Sequence, residues 1–143
     1  MLRQFCLAAL GLSLLGCGKP PADAPSVKLL PVTGLINVNG EPASGAHVTL
    51  HPVEQSAAGV VTPSGVVDAN GAFILTTYAP ADGAPAGKYR VTVSWADLLK
   101  TGSDPEYGKE KLPARYQFPE RSGLECEIGA KSSELLVFDL TSK

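Results

Sequence analysis

A chain of 143 residues with a net charge of −2 and 18% charged residues is long enough to form one domain with its own core. Its charge is too low for a nucleic-acid surface or for a polybasic patch that binds a membrane. Composition therefore argues against these two classes, and we expect no nucleic-acid partner.

The N-terminus has the pattern of an export signal. One cation, Arg3, precedes an apolar run of 11 residues, Phe5–Leu15. A helix of that length reaches only about half of a hydrocarbon core of about 30 Å, so the run is too short to span a bilayer. A small residue, Gly16, then precedes Cys17, which is typical of a signal cleavage site.

The order Leu14-Leu15-Gly16-Cys17 resembles the lipobox of bacterial lipoproteins. That resemblance implies a signal peptide at residues 1–16, acylation of Cys17, and a stable anchor of two or more acyl chains in the lipid bilayer. The alternative is an ordinary secretory signal that ends beside an unrelated cysteine. We expect a chain anchored in the bacterial cell envelope, facing the periplasm or the exterior.

Residues 17–31 are predicted to form a tether between the lipid anchor and the folded domain. Pro20, Pro21 and Pro25 favour an extended polyproline conformation, and the residues between them bury little surface. The folded domain is predicted to occupy residues 32–143.

From Val32 onward the hydrophobic pattern has a period of two, which is typical of β-strands. The Asn39-Gly40 pair predicts a tight turn after the first strand, because both residue types tolerate positive φ. The inward-facing residues of the predicted strands are Val32, Ile36 and Val38; Ala46, Val48 and Leu50; Phe73, Leu75 and Thr77; Tyr89, Val91, Val93 and Trp95; Leu124, Cys126 and Ile128; and Leu136, Phe138 and Leu140.

No window has a helical stripe of useful length, and residues 96–100 are predicted to form one helical turn at most. The last strand is apolar on both faces, so we expect it in the centre of a sheet. Six or seven short strands separated by turns predict an all-β protein built as a β-sandwich.

Three runs resemble the carboxypeptidase regulatory-like domains: Val38–Ala46, Asp68–Phe73 and Gly83–Val93. The runs Leu112–Tyr116 and Ser122–Leu124 resemble a lipoprotein subgroup that is abundant in planctomycete bacteria. The family implies an immunoglobulin-like, seven-strand Greek-key sandwich of the transthyretin type. It implies no agreed activity, since its members usually act as structural, adhesive or ligand-recognising modules.

The sequence contains no pattern that predicts catalysis. His47 and His51 would lie about 13 Å apart on one strand, too far to bind the same metal ion. No motif supplies a nucleophile with an orienting base, so we expect no enzyme, no metal and no cofactor. Asp68 and Asn70 are interpreted as turn residues, because the later acidic ligand of a calcium loop is missing. Cys126 lies on the apolar face of its strand, which predicts a buried, inert thiol.

The least regular stretch is residues 96–123, 28 residues that contain ten charges, five of each sign. In one interpretation the nearby aromatic residues, Trp95, Tyr107, Tyr116 and Phe118, contact a peptide or a glycan. In the other, Tyr116 and Phe118 fold back to close one end of the sandwich. The residues alone leave both interpretations open.

We therefore expect a membrane-anchored cell-envelope lipoprotein with a non-catalytic structural or protein-interaction sandwich. Its expected partners are the lipid bilayer, through acylated Cys17, and an envelope protein or glycan. The alternative is a carbohydrate- or peptide-binding module that uses residues 96–123. An open edge strand would favour a protein partner that binds by strand addition.

Overall fold

The computed structural model describes residues 27–54, 61–129 and 135–143. Within these ranges the chain forms strands and one short 3-10 helix, Ala114–Gln117, and it forms no α-helix. The strands are β1 (Leu29–Leu30), β2 (Thr33–Val38), β3 (Glu41–Pro42), β4 (His47–Pro52), β5 (Ser64–Val66), β6 (Ala72–Ile74), β7 (Ala84–Pro85), β8 (Gly87–Ser94), β9 (Ala96–Lys100), β10 (Glu106–Glu110), β11 (Glu125–Ile128) and β12 (Leu136–Leu140). The protein is all-β, as the period-two pattern predicts.

Most of the strands belong to two sheets. The β8 sheet has the order β11-β8-β4-β5, and its neighbouring strands are antiparallel. The β2 sheet has the order β12-β2-β3, and β6 also pairs with β2. In this sheet β12 runs parallel to β2, whereas β3 and β6 run antiparallel to it. Two smaller pairs join β1 to β7 and β9 to β10.

Both sheets contribute side chains to one hydrophobic core. Leu50 of β4 and Ile36 of β2 are fully buried, in agreement with the predicted alternation. The rings of Phe73 and Phe138 stack with their centroids 6.5 Å apart. Gly34 lies against the Phe73 ring, and a side chain at position 34 would overlap it. This arrangement of two sheets around a shared core is consistent with a β-sandwich.

Two of the predicted turns are present. Asn39 and Gly40 have φ angles of 53° and 84°, and they join β2 to β3. A two-residue hairpin loop of this kind needs positive φ at both positions, which explains the Asn-Gly pair. Asp68 accepts hydrogen bonds from the backbone N–H groups of Asn70 at 2.8 Å and Ala72 at 3.0 Å. Asp68 is therefore a turn residue, as predicted.

Two segments differ from the sequence-based expectations. Leu29 and Leu30, which fall in the predicted tether, form β1 and pair with β7. Leu30 is only 9% exposed, so burial against the core explains its inclusion in the fold. Residues 96–100 form strand β9 and not a helical turn, because β10 supplies an antiparallel partner that no local pattern indicates.

The position of the last strand also differs. Among the described residues β12 pairs only with β2, so it lies at an edge of the β2 sheet and not in its centre. Leu135, just before the strand, and Val137, on its outward face, remain 53% and 51% exposed. The two apolar faces of the strand thus have different surroundings. Phe138 and Leu140 pack in the core, whereas Val137 lies on an exposed aliphatic surface.

Candidate functional site

The predicted site residues do not form one cluster. Cys17, with the whole predicted signal peptide, lies outside the described residues. Trp95 is half-buried after β8, Tyr107 is exposed on β10, Tyr116 is buried in the 3-10 helix, and Phe118 is exposed just after it. None of the described residues forms a helix with the length and apolar character of a membrane span.

The β9–β10 hairpin forms one wall of an open groove of about 430 Å³. We call this the hairpin groove. His47 and Ser94, neighbours across β4 and β8, form its floor. The complete lining is His47, Ser94, Ala96, Tyr107, Gly108, Glu110 and Gln117. The groove thus joins the β8 sheet, the hairpin and the 3-10 helix.

Glu110 ties the hairpin to the sheet. One carboxylate oxygen accepts a hydrogen bond from the Ser94 hydroxyl at 2.7 Å. The other accepts from the backbone N–H groups of Trp95 at 2.8 Å and Leu112 at 3.1 Å. Burial alone would raise the pKa of Glu110, but these hydrogen bonds outweigh it and the pKa lies below its usual value. Glu110 is therefore held as a carboxylate in the groove.

Trp95 serves as a fixed support beside the groove. Its indole Nε1 donates a hydrogen bond to the carbonyl oxygen of Ser44 at 2.9 Å. The ammonium of Lys111 lies 4.7 Å from the indole centroid and also forms an ion pair with Asp97. The charge of Lys111 is thus engaged at the base of the hairpin.

Tyr107 and His47 meet edge to face within the groove. Their ring centroids are 6.1 Å apart and their planes are inclined by 86°. Such an arrangement is a favourable geometry for two aromatic rings. Tyr107 nevertheless remains 49% exposed, so much of its surface is accessible to a ligand.

Tyr116 and Phe118, the proposed end-closing residues, behave differently. Tyr116 is 6% exposed and belongs to the core. Its hydroxyl oxygen accepts hydrogen bonds from Arg115 at 3.1 Å and from the backbone N–H of Thr141 at 3.3 Å. Phe118 is 47% exposed and lies under the guanidinium of Arg121. Tyr116 therefore has a packing role, and Phe118 does not close the core.

His51 is separated from the hairpin groove. Its Nε2 lies 2.9 Å from the Thr92 hydroxyl. Burial lowers the pKa of His51, and the nearby charge of Glu120 opposes that effect only in part. Within the described ranges, no three His, Cys, Asp or Glu side chains come close enough together to bind a metal ion. Burial also raises the pKa of the Cys126 thiol to about 11, so this half-buried group is protonated at neutral pH.

A second surface lies on the outside of the β2 sheet. We call it the aliphatic face: Leu35, Ala72, Ile74, Leu135 and Val137. Val137, Leu35 and Ala72 are neighbours across β12, β2 and β6. Ile74, Leu135 and Val137 are each more than half exposed. A groove of about 430 Å³ runs past Ile74 and Leu135.

The aliphatic face ends at a polar border and at the free side of β12. The amide of Asn37 donates a hydrogen bond to Asp139 at 3.2 Å. The Leu140 carbonyl accepts from the N–H of Asn39, so the backbone groups of Leu140 point towards β2. By strand alternation those of Val137 and Asp139 point away from it. No described strand pairs with that side.

The sequence pattern points to Tyr107 as a contact residue but does not predict the hairpin groove. The groove depends on Glu110 reaching Ser94 and on Gln117 approaching His47. These residues carry no local pattern that distinguishes them from solvent-exposed polar side chains. The one feature of the sequence that points to the groove is the position of His47 on the outward face of its strand.

Known proteins show little similarity to this chain. No protein-family model matches the chain, and no curated protein matches it. A 9R-lipoxygenase from Cyanothece PCC8801 is a similar solved structure, at 16% identity and a TM-score of 0.35. The similarity covers 80% of this chain but only 16% of the lipoxygenase. A likeness this weak carries no argument about function.

Proposed function

We propose that the chain is a cell-envelope lipoprotein, anchored through acylated Cys17, with a non-catalytic structural or protein-interaction domain. The single observation that supports this role best is the aliphatic face beside the free side of β12. Large contiguous apolar patches on the surface of a soluble protein often mark interaction sites. An exposed edge strand also offers unpaired backbone groups to a partner strand.

The partner that suits this surface is an extended segment of another envelope protein. Backbone groups of Val137 and Asp139 would pair with it, and apolar side chains at alternate positions would cover Leu135 and Val137. Main-chain hydrogen bonds would supply affinity, and the aliphatic side chains would select the register.

We also propose the finer fold suggested by the resemblance, a seven-strand Greek-key sandwich of the transthyretin type. The arrangement of β4 and β8 in one sheet and of β2 and β12 in the other supports it. The short segments β1, β3 and β7 and the β9–β10 hairpin would then be additions to seven main strands.

Intact-mass analysis of the protein from native membranes tests the anchor. The expected mass is that of residues 17–143 plus acyl groups, and a Cys17→Ser variant should lose both the acyl mass and the membrane attachment. An unacylated mature chain in the soluble fraction would overturn the lipoprotein proposal. The interaction surface would then have to be tested on a secreted protein.

Site-specific photo-crosslinking in the native host tests the protein partner. A photoreactive residue at position 137 should crosslink to one identified envelope protein, whereas the same residue at Tyr78, which is 64% exposed on a different loop, should not. Ile74→Lys in the same protein should abolish the product, because a charge would interrupt the aliphatic face. Equal crosslinking from both positions would contradict a specific interface. Formation of the crosslinked product in the Ile74→Lys variant would contradict it as well.

A second candidate function is binding of a carbohydrate or peptide by residues of the 96–123 segment. The hairpin groove favours it, because Ala96, Tyr107, Glu110 and Gln117 of this segment line a preformed concave site. The two candidates use different sheets, so experiments on one leave the other unaffected.

A further inference from the structure

We propose that the hairpin groove binds a neutral saccharide of about two sugar units. This inference rests on the second candidate function and specifies its ligand class. The groove has a volume of about 430 Å³, within the range of about 300–1,000 Å³ that is usual for small-molecule sites.

The lining groups match the hydroxyls of a sugar. Gln117 offers an amide that both donates and accepts, and the Tyr107 hydroxyl has the same dual capacity. The two ring nitrogens of His47 provide further hydrogen-bonding positions. The Ser94 hydroxyl donates to Glu110, which leaves its oxygen lone pairs available as acceptors. Sugar hydroxyls are themselves both donors and acceptors, so a mixed set of this kind satisfies them.

Tyr107 supplies the apolar part of the site. The C–H face of a pyranose ring packs on aromatic surface, and Tyr107 keeps 49% of its surface exposed while His47 supports its ring. Because Glu110 and Trp95 fix the hairpin to the sheet, the tyrosine is largely placed before a ligand arrives. Such preorganisation reduces the entropy cost of binding.

The charges of the groove argue against an anionic ligand. Among the residues that line it, Glu110 is the one Asp, Glu, Lys or Arg, and its charge is negative. Of the two lysines next to Glu110, Lys111 is paired with Asp97 and lies over Trp95, and Lys109 is not among the lining residues. A phosphate or a uronic acid would therefore meet the carboxylate of Glu110, with no Lys or Arg side chain in the lining to offset the repulsion.

A peptide ligand fits the groove less well. Peptides usually bind through apolar anchors that fill pockets or by adding a strand to a sheet edge. The apolar lining here is limited to Ala96 and the ring of Tyr107. This small set of apolar side chains offers a peptide few anchors and therefore favours the saccharide.

The test uses the full acylated protein in a zwitterionic detergent that contains no sugar. Neutral probes are maltose, cellobiose, xylobiose, mannobiose and chitobiose, and comparison probes are digalacturonate and tetraalanine with blocked termini. Saturation-transfer NMR detects contact, and the fluorescence of Trp95, the single tryptophan, gives the dissociation constant. At least one neutral disaccharide should bind, with a Kd of about 0.1–1 mM.

Two groove variants and one matched control test whether the saccharide binds in the hairpin groove. Tyr107→Ala should weaken binding at least about 10-fold, and Gln117→Ala about 3–10-fold. Tyr78→Ala should leave it within about 2-fold, because Tyr78, at 64% exposed against 49% for Tyr107, belongs to a loop outside the groove. An unchanged thermal midpoint in each variant shows that the fold is retained.

Each other outcome overturns the inference. Failure of every neutral disaccharide to bind at about 10 mM would reject a saccharide site, as would unchanged binding to Tyr107→Ala. Binding of the blocked tetrapeptide alone, with loss in Tyr107→Ala, would reject the sugar but retain the groove as a binding site. If no probe binds, the second candidate function fails as well, and the crosslinking result at Val137 remains independent of it.

Discussion

The hydroxyl of Ser94 donates a 2.7 Å hydrogen bond to the carboxylate of Glu110 and so fixes the β9–β10 hairpin to the end of β8. The same carboxylate accepts from the backbone N–H groups of Trp95 and Leu112. Glu110→Ala would leave these donors without an acceptor, and we expect it to lower the free energy of unfolding by about 1–3 kcal/mol. Urea denaturation of the variant and of Glu106→Ala, an exposed glutamate on the same strand, measures the difference. An equal effect of both changes would show that the carboxylate does not anchor the hairpin.

The pH dependence of stability should reflect the same carboxylate. The pKa of Glu110 in the folded protein lies below the usual value of 4.5, because burial, which raises it, is outweighed by hydrogen bonds. The native carboxylate thus binds fewer protons than the unfolded one, and its stabilisation is present above pH 4.5 and is lost as the pH falls through the lower folded pKa. The stability difference between wild type and Glu110→Gln should therefore shrink in acid. Denaturation curves between about pH 7 and pH 3 test this, and a constant difference would contradict it.

Opposite charges lie across from each other on the outer face of the β8 sheet. Arg90 of β8 is opposite Glu125 of β11, and Lys88 is opposite Glu127. Arg90→Glu should destabilise the protein by about 0.2–1 kcal/mol relative to a neutral pair, and the added change Glu125→Arg should restore most of the loss. Chemical denaturation of the two single variants and the double variant gives the coupling energy. Additive effects would show that the two side chains do not interact.

The strands and their inward faces could be predicted from the sequence because alternation is a local property. Leu50 and Val91, for example, are fully buried as their pattern indicates. Thr92 is an instructive exception: it lies on the outward face of β8, yet it is only 9% exposed and contacts His51. Its burial depends on the packing of distant segments, including the 3-10 helix that lies against β8. The alternation of residues within one strand does not reveal which outward side chains are buried by other segments of the chain.

The candidate sites could be predicted only in part, for the same reason. Tyr107 was named as a contact residue, but its partner His47 lies 60 positions earlier and meets it only because the hairpin folds over the sheet. The edge position of β12 likewise follows from its parallel pairing with β2, which sequence composition does not determine. Tertiary pairing therefore decides which polar residues meet and which apolar residues stay exposed.

Cys126 should react slowly with thiol reagents in the folded protein. Burial raises the pKa of its thiol from 9.0 to about 11, so the reactive thiolate is about 100-fold less populated than in the unfolded chain at neutral pH. Alkylation followed at this residue by peptide mass spectrometry should be slower by about that factor in buffer than in denaturant. Comparable rates in the two conditions would show that the thiol is accessible and ionised, and would contradict the predicted inert role.

Tyr116 and Phe118 should differ sharply when each is replaced by alanine. Tyr116 is buried in the core, so Tyr116→Ala should lower the free energy of unfolding by about 3–5 kcal/mol. Tyr116→Phe should cost about 1 kcal/mol, because it removes only the hydroxyl that accepts from Arg115 and Thr141. Phe118→Ala should stay within about 1 kcal/mol of wild type, since its ring is half exposed. Denaturant midpoints measure all three, and equal losses for the two alanine variants would mean that both aromatics close the core in solution.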